Sequence, residues 1–162
     1  MVVIGVGNEF RRDDAVGVRA IERLKLVLPM EVLVFSLSGE GTELMQAWAH
    51  EQKVWLIDAV YSGATPGTIF EIDAVRETVP AHFFPYSSHA FGLAEAIELS
   101  KAMDLLPPQV KLYGVEGKDF GAGTGLSREV ESALEKVVRR VAAEIEASVA
   151  ADSALVGDTI AS

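Results

Sequence analysis

The sequence contains no cysteine, no long hydrophobic run and comparatively few basic residues. Without cysteine, a disulfide scaffold, an iron–sulfur cluster and a thiolate zinc site are all excluded. Every apolar run falls short of the roughly 20 residues that a membrane-spanning helix needs, and the N-terminus lacks the basic segment of a signal peptide. These absences predict a cytoplasmic protein that has no membrane partner.

The charge balance narrows the choice of partners. Lysine and arginine number 14 against 24 acidic residues, which gives a net charge of -10. A protein that binds a phosphate backbone needs a basic surface, so this balance disfavours nucleic acid. Cations and basic segments of other proteins are compatible ligands. The 162 residues suffice for one domain with a buried core. We predict a single domain over residues 1–150 and a flexible C-terminal tail over residues 151–162.

Continuous apolar runs alternate with amphipathic segments along the chain. Four runs suit strands that are buried on both faces of a parallel sheet. They span residues 2–6, 32–37, 54–60 and 110–115. Residues 68–72 alternate like an edge strand, and helical patterns separate the runs. The sequence therefore predicts an α/β fold with three α-β-α layers and a twisted, mostly parallel central sheet of about five strands.

Three polar features lie where the predicted strands end or in loops that can reach that edge. Asp13 and Asp14 follow the first strand, Asp58 lies near the end of the third, and His89 precedes a helix. In open α/β sheets, ligands bind at the carboxyl edge of the strands. Two carboxylates and an imidazole suit a divalent ion such as Ni²⁺, Zn²⁺ or Mn²⁺ and leave coordination positions for water or substrate. Asp13 is predicted to cap the following helix instead, and Thr42 to cap a later one.

Each of these residues also has a purely structural explanation. Asp14 can be a solvated acid that complements the helix dipole, and His89 can cap a helix. Asp58 is the hardest to explain in this way, because a charge that closes an apolar strand usually has a partner or a function. A dinucleotide loop is disfavoured because Phe10 occupies the position of its third glycine.

Apart from a catalytic metal site, two functions are compatible with these acidic residues. In a receiver-type signalling domain, Asp13 and Asp14 would bind Mg²⁺ and Asp58 would accept a phosphoryl group. Such a domain also requires a lysine after its last strand. Here that lysine would have to be Lys118, in a glycine-rich loop, and His89 would have no role. The other alternative is a small metal-binding or chaperone-like protein without catalytic activity.

The acidic and histidine positions stand in motifs that resemble those of the hydrogenase maturation endopeptidases. The opening motif is Gly5-Val6-Gly7-Asn8-x₄-Asp13-Asp14-x₂-Gly17, and Ile57-Asp58-Ala59, Pro66-Gly67-Thr68 and Ser88-His89-x₂-Gly92-Leu93 follow in the family's order. The resemblance runs from residue 2 to about residue 115. It implies an enzyme that removes the C-terminal extension from the precursor of a [NiFe]-hydrogenase large subunit.

The resemblance also implies roles for individual residues. Asp14, Asp58 and His89 would be the metal ligands, and Asp14 and Asp58 the catalytic groups of an aspartyl-type protease. The cofactor would be Ni that the precursor supplies, so the isolated chain need not hold it. Asn8, Glu40, Gly41 and Thr42 would contact the substrate.

One segment departs from the family pattern. Many members carry an acid directly before a Gly-Gly-Thr or Gly-Gly-Ser sequence, whereas residues 37–42 of this chain read Leu-Ser-Gly-Glu-Gly-Thr. Glu40 lies between the glycines, and the sequence leaves open whether it replaces the missing acid.

Overall fold

The computed structural model describes residues 1–160, and it contains one five-stranded sheet with the order β2-β1-β3-β5-β4. The strands are β1 (Val2–Val6), β2 (Leu33–Leu37), β3 (Lys53–Val60), β4 (Ile69–Asp73) and β5 (Gln109–Glu116). The helices are α1 (Val16–Leu24), α2 (Gly41–Trp48), α3 (Leu93–Ala102) and α4 (Arg128–Ile160). Only β4 runs antiparallel to its neighbour. The predicted α/β fold is confirmed.

An apolar core lies on each face of the sheet. Residues of α1 and α4 pack against one face, and residues of α2 and α3 pack against the other. Strand β1 serves both cores, because Val3 points to the first while Val2 and Ile4 point to the second. This arrangement explains why β1 and β3 read as continuous apolar runs.

Strand β1 and helix α1 touch through glycines. A Cβ on Gly5 would lie 2.1 Å from the carbonyl oxygen of Gly17, and a Cβ on Gly17 would lie 2.5 Å from the carbonyl oxygen of Ile57. No larger residue fits at either position unless the backbone moves. The contact seats the start of α1 directly behind the carboxyl end of β1, and a short 3-10 helix over Arg12–Ala15 connects the two.

Helix α4 extends further than the sequence pattern predicts. The structure is helical through Ile160, whereas the sequence predicts a tail that begins at residue 151. Lys53 holds this part of the helix, because its Nζ lies 2.7 Å from Ser148 Oγ and 2.8 Å from Asp152 Oδ1. Residues 161–162 of the predicted tail lie outside the described residues. No helix within the described range is long and apolar enough to cross a membrane.

Candidate active site

A cavity of about 450 Å³ opens at the carboxyl ends of β1, β2 and β3. Asp14, Asp58 and His89 all line it, as does Asn8. The structure thus brings the predicted ligand residues to one site from three separate parts of the chain. Three other predicted substrate-binding residues, Glu40, Gly41 and Thr42, are not among the residues that line it.

The turn after β1 fixes the position of Asp14. Gly7 has a φ of 147°, and a Cβ there would lie 1.9 Å from the carbonyl oxygen of Asp14. Only glycine allows the two backbones to approach so closely. The amide of Asn8 donates a hydrogen bond to Asp14 Oδ2 at 2.9 Å. Burial raises the pKa of Asp14, and the Asn8 amide and the charge of Arg11 partly oppose that effect.

Few contacts stabilise the charged form of the Asp58 side chain. Its side chain is 6 % exposed, and burial raises its pKa well above the ordinary value. The charge of Asp14 raises this pKa further, and the backbone amide of Ala59 lowers it. The two carboxylates are therefore close enough to repel each other. Such a pair takes up a proton or a cation more readily than either carboxylate would alone.

Asp13 has a full set of hydrogen-bond partners and a structural role. Its buried carboxylate accepts hydrogen bonds from the amides of Lys118, Asp119 and Ser127 and from the hydroxyl of Ser127, at 2.7–2.9 Å. The side chain makes no capping hydrogen bond to the helix that follows it. The prediction that Asp13 caps this helix is wrong, because its carboxylate bonds instead to the distant loop before α4.

Glu116, at the end of β5, is a second buried acid with a full set of partners. Its carboxylate accepts hydrogen bonds from the amides of Ser62 and Gly63 and from the hydroxyl of Ser62. Three acids are buried in the described part of the chain, and two of them bind loops. Asp58 is the exception, and this contrast favours a functional role for it.

We expect Asp13→Ala to destabilise the fold by about 2–4 kcal/mol, because it leaves several amide donors without a partner. Chemical denaturation in urea measures the change, and the m-value should stay constant. Asp119→Ala is the control, since the ion pair of Asp119 with Arg12 is exposed and spans 3.5 Å. That variant should lose less than about 1 kcal/mol. Equal losses for the two variants would contradict the structural role of Asp13.

His89 belongs to the loop that precedes α3. Its amide donates to Ser87 Oγ at 3.3 Å, and its side chain is half-buried. The ring atom Cδ2 lies 4.0 Å from the Cβ position of Gly39, so the imidazole faces the loop after β2. Within the described chain the ring nitrogens make no hydrogen bond. They are therefore available to a ligand that enters the cavity.

Glu40 caps helix α2, so the prediction that Thr42 caps a helix here is wrong. The carboxylate of Glu40 accepts hydrogen bonds from the amides of Thr42 at 3.1 Å and Glu43 at 2.9 Å. These amides lower the pKa of Glu40, and the charge of His89 contributes a smaller effect in the same direction. Because this carboxylate caps a helix outside the cavity lining, it is poorly placed to replace the acid that the family pattern puts before the glycines.

The donor types at the cavity fit a divalent cation, because carboxylate oxygen and imidazole nitrogen are ligands for Ni²⁺ and Zn²⁺. Within residues 1–160, no three acidic or histidine side chains are positioned to hold one ion together. A shared ion would therefore require at least one of Asp14, Asp58 and His89 to move.

An aromatic wall on one side of the cavity is a feature that the sequence pattern does not predict. The rings of Tyr61, Tyr86 and Phe120 contact one another at centroid distances of 4.8–5.8 Å. Arg11 reaches the same wall, because its Nη1 donates to the carbonyl oxygen of Tyr86 at 2.8 Å. These residues come from separate loops, so no periodic pattern in the sequence connects them.

The chain is similar to known hydrogenase maturation proteases. The family model described as hydrogenase maturation protease matches residues 18–144. The hydrogenase 2 maturation protease of Escherichia coli is 31% identical over 152 residues, which cover 91% of this chain and 92% of that protein. A putative hydrogenase maturation protease of Methanocaldococcus jannaschii is 28% identical over 152 residues, 90% of this chain and 96% of its own length.

Solved structures show the same similarity in three dimensions. The hydrogenase maturating endopeptidase HybD from Escherichia coli superposes with a TM-score of 0.73 at 25% identity, covering 91% of this chain and 92% of that one. An endopeptidase from Escherichia coli, solved in solution, gives a TM-score of 0.78 at 30% identity, covering 91% and 93%.

Proposed function

Because this chain belongs to the hydrogenase maturation protease family, and is thus a peptidase, we propose that it removes the C-terminal extension of a [NiFe]-hydrogenase large-subunit precursor. The observation that carries the proposal is the pair Asp14 and Asp58, two mutually repelling carboxylates in one cavity. Both lie at the sheet edge where α/β proteins bind their ligands.

We propose that Asp14, Asp58 and His89 recognise nickel that the precursor carries. A cation next to the two carboxylates would offset their repulsion and the cost of burying Asp58. Recognition through the metal would also restrict cleavage to precursors that have received it. The scissile bond would then be held beside the carboxylates, which lowers the barrier by positioning.

Of the two carboxylates, Asp14 is the better candidate to take a proton from the attacking water. It is only partly buried, and both the Asn8 amide and the Arg11 charge favour its ionised form. Burial and the neighbouring carboxylate make Asp58 the more reluctant of the two to ionise. This difference between the two acids resembles the division of labour in aspartyl-type proteases.

The receiver-type alternative lacks the side chains that it requires. Asp13 would have to bind Mg²⁺, yet four hydrogen bonds already engage its carboxylate. Lys118 would have to reach the phosphoryl group, yet its Nζ lies 2.8 Å from Glu129 in an exposed ion pair. His89 would again have no role.

The test is incubation of the purified chain with a nickel-loaded precursor, followed by mass spectrometry of the precursor. We expect loss of one C-terminal peptide, no loss from nickel-free precursor, and a rate at least about 100-fold lower for His89→Ala. His82→Ala is the matched control, since His82 is exposed and lies outside the cavity lining. Equal cleavage of loaded and nickel-free precursor would contradict the metal recognition, and full activity of His89→Ala would contradict the ligand set.

A further inference from the structure

Strand β2 forms an open edge of the sheet and leads into the candidate active site. It pairs with β1 on one side, and it is the last strand in the sheet order on the other. Ser36 and Leu37 at its end line the cavity, together with Ser38 just beyond. A chain laid along this edge would therefore continue directly into the cavity of Asp14 and Asp58.

The hydrogen-bonding pattern shows which backbone groups of β2 face outward. Leu33 donates its amide to Met1, and the carbonyl oxygen of Leu37 accepts from Gly7, each at 3.1 Å. Residues 33, 35 and 37 therefore face β1, so the amide and carbonyl groups of Val34 and Ser36 point the other way. Nothing within residues 1–160 hydrogen-bonds to these outward groups. They are spaced to pair with another strand.

The side chains along the edge add an apolar, acid-flanked surface. Leu33 is 45% exposed and Phe35 is 38% exposed. Glu31 precedes the strand, Glu40 and Glu43 follow it, and the sequence from residue 26 to residue 52 contains no lysine or arginine. The edge therefore favours a neutral or basic segment with apolar side chains over an acidic one.

We propose that the segment of the precursor beside the scissile bond binds as an added strand along β2, paired with Val34 and Ser36. This inference rests on the proposed function and specifies how the polypeptide is held. Main-chain hydrogen bonds would bind an extended segment regardless of its side chains, and Leu33 and Phe35 would contact alternate residues of it. The opposite edge strand, β4, offers no such route, because none of residues 69–73 lines the cavity.

Hydrogen exchange resolved by residue tests the pairing directly. We use the original chain, which keeps all three proposed nickel ligands, and nickel-loaded precursor in saturating excess as the probe, so that the complex persists during turnover. Binding should slow exchange of the Val34 and Ser36 amides at least about tenfold. The amides of Leu33, Phe35 and Leu37, which face β1 in the free protein, should change much less. A purely structural role of β2 would not produce this alternation.

Kinetics with the active enzyme provide the second test. A charge on an edge strand discourages strand addition, so Phe35→Lys should raise KM about tenfold and leave kcat within about twofold. Val75→Lys is the matched control, because Val75 is 40% exposed and does not line the cavity. That variant should keep the KM of the original chain.

The two proposals fail in different ways. If the chain does not cleave nickel-loaded precursor, the proposed function and this inference both fall. If it cleaves the precursor but the Val34 and Ser36 amides exchange at the free rate, the inference alone is overturned. Slower exchange that appears without precursor, as the concentration of the enzyme rises, would replace the substrate by a second copy of the chain and overturn it as well.

Discussion

Asp58→Asn is expected to lower the rate of precursor cleavage by a factor of about 1,000 or more and, at the same time, to stabilise the fold. The loss of activity follows from the proposed role of Asp58 as one of the two carboxylates at the reacting centre, an effect of the size that acid–base groups contribute. The gain in stability follows because Asp58 is buried beside Asp14 with little to compensate its charge. Relief of such a cost commonly yields about 1–2 kcal/mol.

The pH dependence of this stability gain has a definite sign. The pKa of Asp58 is raised in the folded protein, so the native state holds a proton that the unfolded chain releases near its ordinary value of 3.8. The original chain therefore loses stability as the pH rises from that value through the raised pKa. Asparagine stays neutral throughout. The gain should be small at and below the ordinary value, grow with rising pH, and level off above the raised pKa.

Urea denaturation at several pH values, together with the cleavage assay, measures both effects. Glu116→Gln is the matched control, because Glu116 is also buried but its carboxylate accepts hydrogen bonds from Ser62 and Gly63. The control should destabilise the fold at neutral pH. A destabilised Asp58→Asn variant would show that Asp58 is a structural residue like Asp13 and Glu116. Normal cleavage by this variant would contradict its proposed catalytic role.

Gly17→Ala is expected to cost about 3 kcal/mol or more, enough to prevent accumulation of folded protein if the chain is marginally stable. The added Cβ would lie 2.4 Å from the carbonyl oxygen of Val6 and 2.5 Å from that of Ile57. Both atoms belong to the backbone of the sheet, so neither can yield by changing a rotamer. Helix propensity alone would predict a gain of about 1 kcal/mol.

The comparison with Gly157→Ala isolates the effect of the contact. Gly157 also lies in a helix, and a Cβ there would meet nothing within 4 Å. This variant should gain up to about 1 kcal/mol from helix propensity. Soluble yield and urea denaturation measure both variants. If Gly17→Ala were as stable as the original chain, the close approach of α1 to β1 and β3 would not exist in solution.

The fold was predictable because the buried strands are continuous apolar runs. Strand β3 is buried from Val54 onward, and its sequence contains one acid, Asp58. The end of α4 was not predictable, because Lys53 contacts Asp152 across 99 positions of the sequence. A local pattern contains no information about such a contact.

At the candidate site, the sequence identifies the relevant residues but does not show what surrounds each of them. Asp13 and Asp14 are neighbours with the same side chain, and only the distant loop before α4 distinguishes them. Similarly, Thr42 has a side chain that commonly caps helices, and the backbone conformation before α2 gives that role to Glu40 instead. The assignments of Asp14, Asp58 and His89 as ligands stay predictions.

The adjacency of Asp13 and Asp14 has a consequence for genetic screens. Under the proposed function, substitutions at either position would block hydrogenase maturation in a cell, so a growth selection would score the two positions alike. We expect the causes to differ: loss of Asp13 would deplete the folded enzyme, whereas loss of Asp14, if it acts as proposed, would leave the enzyme abundant but inactive. Cellular protein levels, measured alongside growth, would therefore distinguish a residue that maintains the fold from an adjacent residue that is proposed to act in catalysis.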